Sequence, residues 1–448
     1  MSEIVAPIVE VVANPLRHPL EPVPDAGPNG RPRGTGPGVG GPSDPTAGPT
    51  AFHRRLPGYA PTPLIDAAAL ATELGVGRLL VKDESSRLGL PAFKMLGASW
   101  ASYRALAAAL EQLTGAAMPE WATLDDLAVL LAPLQPLDLA TATDGNHGRA
   151  VARFAHLVGL GARIFVPAGT TDARIDAIRS EGASCAVVDG SYDDAVARAA
   201  LEASDDPTGR CLVISDTSWP GYDVVPAWVI DGYSTIFAEI DAQLAAADRP
   251  EPEVVLVPIG VGAFAAAAAQ WYRRPGLVSP PLLIGVEPDT ANCVMASARA
   301  GELVEVPGPH RSVMAGLNCG EASPVAWPFV SAGFDWFVAG GDDMAEHGMR
   351  LLASAGIVSG ESGAATVGAL AALRASTDGP TIGADTVVLA LSTEGATDPP
   401  HYLAAVGRTA GEVADSAPRC LADRGPASDP RCAVTCCPGP CRAPQAAS

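Results

Sequence analysis

The sequence predicts an α/β fold with two domains, built from parallel or mixed sheets flanked by helices. Two observations lead to this prediction. Short, continuously apolar runs alternate with longer Ala- and Leu-rich runs along most of the 448 residues, and turns rich in Gly, Ser, Asn and Asp follow several of the apolar runs. Continuous apolar runs are typical of parallel strands covered on both faces. Polar turns at the ends of such strands are where α/β proteins bind their ligands.

Seven apolar runs are predicted strands, and three helical runs lie between them. The predicted strands are 79–81, 163–166, 185–188, 211–214, 254–257, 282–286 and 386–391. The predicted helices are 148–157, 171–181 and 192–203. This order is that of repeated βαβ units, in which ligands bind at the carboxyl ends of the strands. The Ala- and Leu-rich residues 105–140 have no clear prediction.

The composition excludes several classes of partner. Hydrophobic residues make up 48% of the chain, while 29 Lys and Arg against 50 Asp and Glu give a net charge of −21. So acidic a chain is a poor candidate for binding nucleic acid or an anionic membrane. No apolar run reaches the ~18 residues that span a bilayer, and the N-terminus lacks the basic region of a secretory signal. We expect a cytoplasmic protein with a small-molecule substrate.

The cysteines are spaced neither as a disulfide framework nor as a zinc finger. Four lie in the body of the chain and five crowd the tail, namely Cys185, Cys211, Cys293 and Cys319, then Cys420, Cys432, Cys436, Cys437 and Cys441. His147 has no second His or Cys at metal spacing near it. We predict no metal site.

Lys94 is the first candidate functional residue. It follows a predicted strand and an irregular loop, stands between Phe93 and Met95, and is one of only two lysines in the chain. An apolar pocket lowers the pKa of a lysine and makes it nucleophilic toward an aldehyde, as in imine-forming enzymes. The alternative is a lysine whose stem packs on a helix while its ammonium reaches solvent.

Two Gly-containing loops could bind anions. The turn 143–148, Thr-Asp-Gly-Asn-His-Gly, opens a predicted helix and carries Asp144 and Asn146; Asp144 is either a general base or a helix cap. The second loop follows the predicted strand 254–257 and opens another helix, and its residues are Gly260, Val261, Gly262, Ala263 and Phe264. Backbone N–H groups at a helix start bind phosphate, although a tight turn alone explains the same glycines.

Three further polar residues follow predicted strands or open a helix. Asp216 ends an apolar strand, where it either faces a ligand or forms an Asx turn. Ser392 closes the last strand, and its hydroxyl could bond a heterocycle nitrogen or cap the next turn. Glu361, at a Gly-rich helix start, is either a site residue or a charge that favours the helix N-terminus.

Together these motifs resemble the fold type II (tryptophan synthase β-like) pyridoxal phosphate family over about residues 51–405. Within it they are similar to the diaminopropionate ammonia-lyase subfamily. Four segments carry the resemblance, namely 92–98 (AFKMLGA), 143–148 (TDGNHG), 216–222 (DTSWPGY) and 359–364 (SGESGA). The second segment has Asp144 where serine and threonine dehydratases usually have Ser.

The resemblance implies a reaction, a cofactor and a role for each residue. The reaction is the α,β-elimination of 2,3-diaminopropionate to pyruvate and ammonia, with pyridoxal 5'-phosphate as cofactor and a homodimer as the expected assembly. Lys94 would hold the cofactor and remove the α-proton of the L-isomer, and Asp144 would remove that of the D-isomer. Asp216 would bind the distal amine of the substrate. Asn146 would hydrogen-bond the phenolic oxygen of the cofactor, and the loop from Gly260 to Phe264 would bind its phosphate. Ser392 would face the pyridine nitrogen, with Thr393 as a second candidate.

Composition predicts a flexible Gly/Pro-rich arm at 1–50 and a disordered Cys-containing tail at 411–448, and both lie outside the family pattern. Between them we expect a large cofactor-binding domain at 51–93 and 220–410 and a small domain at 94–219. Ala263 departs from the family, whose phosphate loop usually has Gly or Ser there. One alternative is a serine/threonine dehydratase or β-replacement enzyme of the same fold, and another is a non-catalytic amino-acid-binding homologue.

Overall fold

A computed structural model describes residues 7–20, 48–204 and 210–416. Most of the predicted arm, and the tail from residue 417 with its five cysteines, lie outside these ranges. In the described ranges the chain forms two sheets and the helices that cover them. None of these helices combines the length and apolarity needed to cross a membrane. The described ranges also contain no group of three or more His, Cys, Asp or Glu side chains suited to a metal ion.

The described elements alternate between strands and helices along most of the chain. The strands are β1 Val9–Ala13, β2 Leu64–Asp66, β3 Arg78–Asp83, β4 Asp138–Ala142, β5 Gly161–Pro167, β6 Ser184–Val188, β7 Cys211–Val213, β8 Val254–Pro258, β9 Leu282–Pro288, β10 Trp336–Gly340 and β11 Val387–Ser392. The helices are α1 Pro49–His53, α2 Ala68–Leu74, α3 Met95–Thr114, α4 Leu124–Leu131, α5 Asn146–Leu157, α6 Asp172–Arg179, α7 Tyr192–Ser204, α8 Val224–Ala246, α9 Ala263–Tyr272, α10 Cys293–Ala300, α11 Trp327–Gly333, α12 Asp342–Ser354, α13 Glu361–Ala375, α14 Pro399–Val406 and α15 Ala410–Ala414. Short 3-10 turns lie at Ala132–Leu134 and Ala315–Leu317.

The larger sheet has seven strands in the order β1-β10-β9-β8-β11-β3-β2. Neighbours pair in parallel, except at the two edges, where β1 pairs with β10 and β2 with β3 antiparallel. Every residue of β8 is buried. Val255 and Val257 of β8 pack into one hydrophobic core, and Val254 and Leu256 pack into another on the opposite face. This two-sided burial explains why the strand is continuously apolar in sequence.

The smaller sheet has four parallel strands in the order β6-β5-β4-β7. Val151 and Phe154 of α5 pack on one face of it with Leu139 and Ile164. Ala195 and Ala199 of α7 pack on the other face with Ala140 and Phe165. Helices therefore cover both faces, as the sequence predicts for a βαβ arrangement.

The structure corrects the predicted arm and tail at their described residues. Val9–Ala13 is not part of a flexible arm, because it pairs with β10 as an edge strand of the larger sheet. The Asn14 side-chain amide then donates two 2.7 Å hydrogen bonds, to the carbonyls of Ser331 and Phe334. The predicted disordered tail begins too early, since α15 covers Ala410–Ala414 and its Val413 is fully buried. A capping box between Thr409 and Glu412 stabilises this last helix.

Candidate active site

A cavity of about 1070 Å³ lies at the carboxyl ends of the strands of both sheets. The predicted site residues that line it are Lys94, Asp144, Asn146, Asp216, Gly260, Val261, Gly262, Ala263 and Phe264. Thr393 and Glu361 also line it, whereas Ser392 does not. The end of a parallel sheet is the expected position of a ligand site in an α/β protein.

Lys94 begins α3 and points its amine into the cavity wall beside an acid. Its Nζ donates a 2.7 Å hydrogen bond to Asp216 Oδ2 and lies 5.4 Å from the centre of the Phe93 ring. Burial by itself lowers the pKa of Lys94, but Asp216, Tyr233 and Asp144 together outweigh burial and hold that pKa above its usual value. Lys94 therefore does not have the lowered pKa that the sequence predicts for an apolar pocket. The lysine is partnered by a charge rather than exposed to solvent.

Asp216 follows β7 and is the centre of a small hydrogen-bonded group. Besides Lys94, the Tyr192 hydroxyl donates to its Oδ1 at 3.2 Å, and His147 Nδ1 lies 4.0 Å from its Oδ2. Burial raises the pKa of Asp216, but these neighbours, with Lys94 first among them, hold it well below its ordinary value. His147 is held in turn by a 2.8 Å hydrogen bond from Nε2 to the Ile214 carbonyl.

Asp144 lies in the turn between β4 and α5, and its side chain does not cap the helix. The Thr143 hydroxyl takes that place by accepting hydrogen bonds from the backbone N–H groups of Gly145, at 2.9 Å, and Gly148, at 3.0 Å. Asp144 Oδ2 is buried without a hydrogen bond and lies 3.8 Å from the Arg174 guanidinium. Burial raises the pKa of Asp144, and Arg174 acts against that rise. A carboxylate with an unused lone pair facing a cavity can accept a proton from a ligand.

Asn146 is the first residue of α5, and its side-chain amide lies in the cavity wall. Its Nδ2 donates a 2.6 Å hydrogen bond to Glu394 Oε2. Glu394 Oε1 accepts a second hydrogen bond, 3.0 Å long, from the backbone N–H of Ser362. Glu394 thus ties the start of α5 to the start of α13, and it fixes the orientation of the Asn146 amide.

The Gly-rich loop connects β8 to α9. Gly262 has a φ of +94°, which favours glycine, and it directly precedes the first turn of α9. A Cβ on Gly260 would lie 2.9 Å from the Gly316 carbonyl oxygen, so this close approach also requires glycine. The N–H groups in the first turn of a helix have no acceptor within the helix and can bind an anion. Ala263 offers no hydroxyl, so an anion here is bound by backbone groups.

The end of β11 presents Thr393, not Ser392, to the cavity. The Ser392 side chain is fully buried and donates a 2.8 Å hydrogen bond to Ser359 Oγ. The Thr393 side chain lines the cavity, and its carbonyl accepts a 3.2 Å hydrogen bond from Phe93 N–H. Thr393 directly follows the last residue of β11, and successive residues of an extended chain face opposite sides, so the two neighbours do not both reach a ligand. The geometry favours the sequence's second candidate, Thr393.

A family model described as a pyridoxal-phosphate dependent enzyme matches residues 55–393. The chain belongs to this family. It is therefore an enzyme that depends on pyridoxal phosphate, and the fold class predicted from the sequence is confirmed.

Comparison with individual members of the family gives a consistent result. The chain is 37% identical over 372 residues to diaminopropionate ammonia-lyase of Salmonella typhimurium, which covers 79% of this chain and 89% of that enzyme. It is 38% identical over 364 residues to the Escherichia coli K12 enzyme of the same name. A crystal structure of the Escherichia coli enzyme in complex with an aminoacrylate-PLP azomethine reaction intermediate aligns with a TM-score of 0.74 at 32% identity, covering 90% of this chain and 97% of that one.

The cavity fits pyridoxal phosphate by the chemistry of its donor groups. It offers an amine on Lys94, backbone N–H groups at the start of α9, and two buried polar atoms without hydrogen bonds, Asp144 Oδ2 and Ser362 Oγ. A Cβ on Gly316 would lie 3.2 Å from Ser362 Oγ and 3.4 Å from Asp144 Oδ2, so this glycine keeps the space between them open. Such unpaired polar atoms are costly to bury unless a ligand contacts them.

Three residues of the cavity wall that contact the predicted site residues were not predicted from the sequence. Arg174 lies in the first turn of α6, Tyr192 begins α7, and Glu394 follows β11 by two residues. All three come shortly after a strand, and that position was the signal that could have identified them. Their partners, however, are distant in sequence, as in the 248-residue separation of Asn146 and Glu394.

Proposed function

We propose that this enzyme is an ammonia-lyase that converts 2,3-diaminopropionate to pyruvate and ammonia. The observation that carries the proposal is that Asp144 and Asp216 share one cavity with the Lys94 amine. Two carboxylates suit a substrate that carries a second amine, whereas a hydroxyl leaving group gains little from a negative wall. The similarity to diaminopropionate ammonia-lyases over 79% of the chain supports the same substrate.

The cofactor would be held by groups from both sheets. Lys94 would bind it covalently, the loop from Gly260 to Phe264 would bind its phosphate, and Asn146 would donate to its phenolic oxygen. For the pyridine nitrogen we propose Thr393 in place of Ser392, because Thr393 lines the cavity. When bound, pyridoxal phosphate withdraws electrons from the α-carbon of an amino acid, so that the α-proton can be removed.

Two groups of this chain would take that proton, one for each stereoisomer. Lys94 Nζ would take it from the L-isomer once the substrate amine has displaced Lys94 from the cofactor, and the Asp144 carboxylate would take it from the D-isomer. Each has its own counter-charge, since Asp216 lies 2.7 Å from Lys94 and Arg174 lies 3.8 Å from Asp144. Separate counter-charges allow the two bases to differ in pKa and to serve two stereoisomers within one cavity.

Asp216 would also bind the distal amine of the substrate. Within the described residues, its Oδ1 accepts a hydrogen bond from the Tyr192 hydroxyl alone, at 3.2 Å. A carboxylate oxygen accepts more than one hydrogen bond, so a substrate amine can join Tyr192 there. The low pKa of Asp216 keeps it ionised and therefore able to attract that amine.

The test is pyruvate release by the purified enzyme. We expect turnover of D- and L-2,3-diaminopropionate, and little turnover of D-serine, L-serine or L-threonine. Turnover of serine or threonine alone would instead identify a dehydratase. A protein that binds the cofactor but is inert on all five compounds would not be a lyase of these amino acids.

The domain boundaries, the homodimer and the cytoplasmic location stay predictions. The larger sheet draws its strands from residues 9–13, 64–83 and 254–392, and the smaller sheet from 138–213. This distribution supports a small domain inserted into a large one. Sedimentation equilibrium tests the homodimer, and fractionation of cells tests the location.

A further inference from the structure

Arg174 occupies the part of the cavity wall next to Asp144. It lies in the first turn of α6, and its side chain is 10% exposed. Its guanidinium NH1 donates a 3.3 Å hydrogen bond to the backbone carbonyl of Asp144 and lies 3.8 Å from Asp144 Oδ2. One guanidinium group therefore contacts both the backbone and the carboxylate of a single residue.

The stem of Arg174 also packs against the turn that carries Asp144. A Cβ on Gly145 would lie 3.4 Å from Arg174 Cδ, 3.5 Å from Cγ and 3.6 Å from Cβ. These are ordinary van der Waals distances, so the arginine stem covers this side of the glycine. The contact restricts both the arginine and the turn, and it fixes where the Asp144 carboxylate lies relative to the cavity.

The charges around Asp144 leave Arg174 as its main counter-ion. The other titratable groups facing Asp144 are Lys94 just before α3, His147 in α5, Tyr192 at the start of α7, Asp216 after β7, Tyr233 in α8, Cys319, and Glu394 after β11. Burial lowers the pKa of the His147 imidazole, which leaves it neutral. Of these only Lys94 is a cation, and it is already paired with Asp216 at 2.7 Å. Burial raises the pKa of Asp144, and among the groups that lower it Arg174 acts more strongly than Lys94.

We propose that Arg174 is the positioning residue of Asp144 and thereby controls the half of the activity that acts on the D-isomer. The inference rests on the proposed function, because the role of Asp144 as a base comes from there. Without the guanidinium the buried carboxyl keeps its proton to a higher pH, and a protonated carboxyl cannot accept the α-proton. The L-isomer depends on Lys94 and does not need this pair.

The experiment measures kcat and KM for both isomers of 2,3-diaminopropionate against pH, using the cofactor-bound enzyme. In Arg174→Gln we expect the acid limb of the D-isomer profile to move up by about one pH unit, and D-isomer turnover below that limb to fall about tenfold. Glutamine removes the charge and keeps an amide N–H donor on a shorter side chain. Arg174→Lys should recover most of the loss.

One further Arg174 variant and one control variant complete the experiment. Arg174→Met removes both the charge and the hydrogen bond, and it should show at least the same shift for the D-isomer. Arg179→Met changes an arginine of the same helix that is 55% exposed, and it should leave both profiles unchanged. Cofactor absorbance and circular dichroism establish that each variant is folded and binds the cofactor.

Several outcomes would overturn the inference. A rise in KM for both isomers would mean that Arg174 binds the substrate itself, and an equal loss of kcat for both would mean a general structural role. An unchanged D-isomer profile in all three Arg174 variants would exclude any role through Asp144. If the wild-type enzyme acts on the L-isomer only, the lyase stands but the Asp144 base and this inference fail. If it acts on neither isomer, the proposed function fails.

Discussion

Lys94 Nζ and Asp216 Oδ2 lie 2.7 Å apart, and this ion pair links the two sheets across the cavity. Lys94 follows the β3 strand of the larger sheet by a loop, and Asp216 follows the β7 strand of the smaller one. Both side chains are largely buried, with 16% and 5% of their surfaces exposed. The Lys94 amine is therefore held by an acid from the opposite side of the site.

We expect Asp216→Asn to lower both the pKa of Lys94 and the stability of the cofactor-free protein. Burial of the ammonium would then be opposed only by the weaker effects of Tyr233 and Asp144, and an unpaired buried charge costs about 3 kcal/mol. The pKa of Asp216 is depressed below its ordinary value of 3.8 in the folded state. The wild-type ion pair therefore stabilises the folded protein fully above about pH 3.8, and this stability is lost as the pH falls further. Urea unfolding and the acylation rate of Lys94 measure the two effects. The control is Asp176→Asn, which is 75% exposed; equal effects of the two variants would contradict the account.

Gly262→Ala should weaken cofactor binding. The φ of +94° at Gly262 costs a non-glycine residue about 1–2 kcal/mol, and relief of that strain would move the N–H groups at the start of α9. Gly276→Ala is a matched control, because Gly276 has a φ of +90° with no atom near a Cβ and is remote from the loop. Both variants should lose similar stability, and only Gly262→Ala should raise the Kd for pyridoxal phosphate. Equal Kd values would contradict a phosphate site in this loop.

Thr393→Ala and Ser392→Ala should affect the bound cofactor differently. Thr393 lines the cavity, whereas Ser392 is buried and bonded to Ser359. We expect the absorbance spectrum of the bound cofactor to shift in Thr393→Ala and to stay unchanged in Ser392→Ala, which should lose stability instead. The opposite pattern would return the pyridine contact to Ser392.

Glu361→Gln should change the pH dependence of stability. Burial, followed by the charge of Glu394, raises the pKa of Glu361 from 4.5 to about 7. The folded state therefore binds this proton more tightly, so wild-type stability falls as the pH rises from 4.5 toward 7. Glu361→Gln lacks this fall in stability, so at pH 8 it should be more stable than the wild type by up to about 3 kcal/mol. Unfolding curves measured from pH 4 to 8 test this, and parallel pH profiles for the variant and the wild type would contradict it.

The strands that the sequence predicts are short apolar runs, and most of them are buried, although β6 is largely exposed and the buried β10 was not predicted. The predicted strands overlap β3, β5, β6, β7, β8, β9 and β11, which are short apolar runs. The strand β4 escaped prediction because Asp138–Ala142 is rich in Ala and Thr, and β1 because its partner is more than 300 residues away. A local sequence pattern indicates that a segment is buried, but it does not indicate which distant segment it pairs with.

The candidate site divides in the same way. Lys94 and Asp216 were identifiable because each follows a predicted strand, and Asp144 and Asn146 because they lie in a Gly-containing turn that opens a predicted helix. The structure brings all four to one cavity. Which of Ser392 and Thr393 reaches the cavity could not be predicted, because it depends on the side of the chain that each residue faces at the end of β11. Nor could the sequence show that Lys94 is paired with Asp216, a contact between residues 122 positions apart.

The measurement that tests the central claim most directly is the ratio of kcat/KM for D- and L-2,3-diaminopropionate in Asp144→Asn. If Lys94 and Asp144 are two separate bases in one cavity, kcat/KM of the variant for the D-isomer should fall by at least about 100-fold. The variant should retain most of its activity on the L-isomer. Equal loss of both isomers, or full activity on the D-isomer, would contradict it.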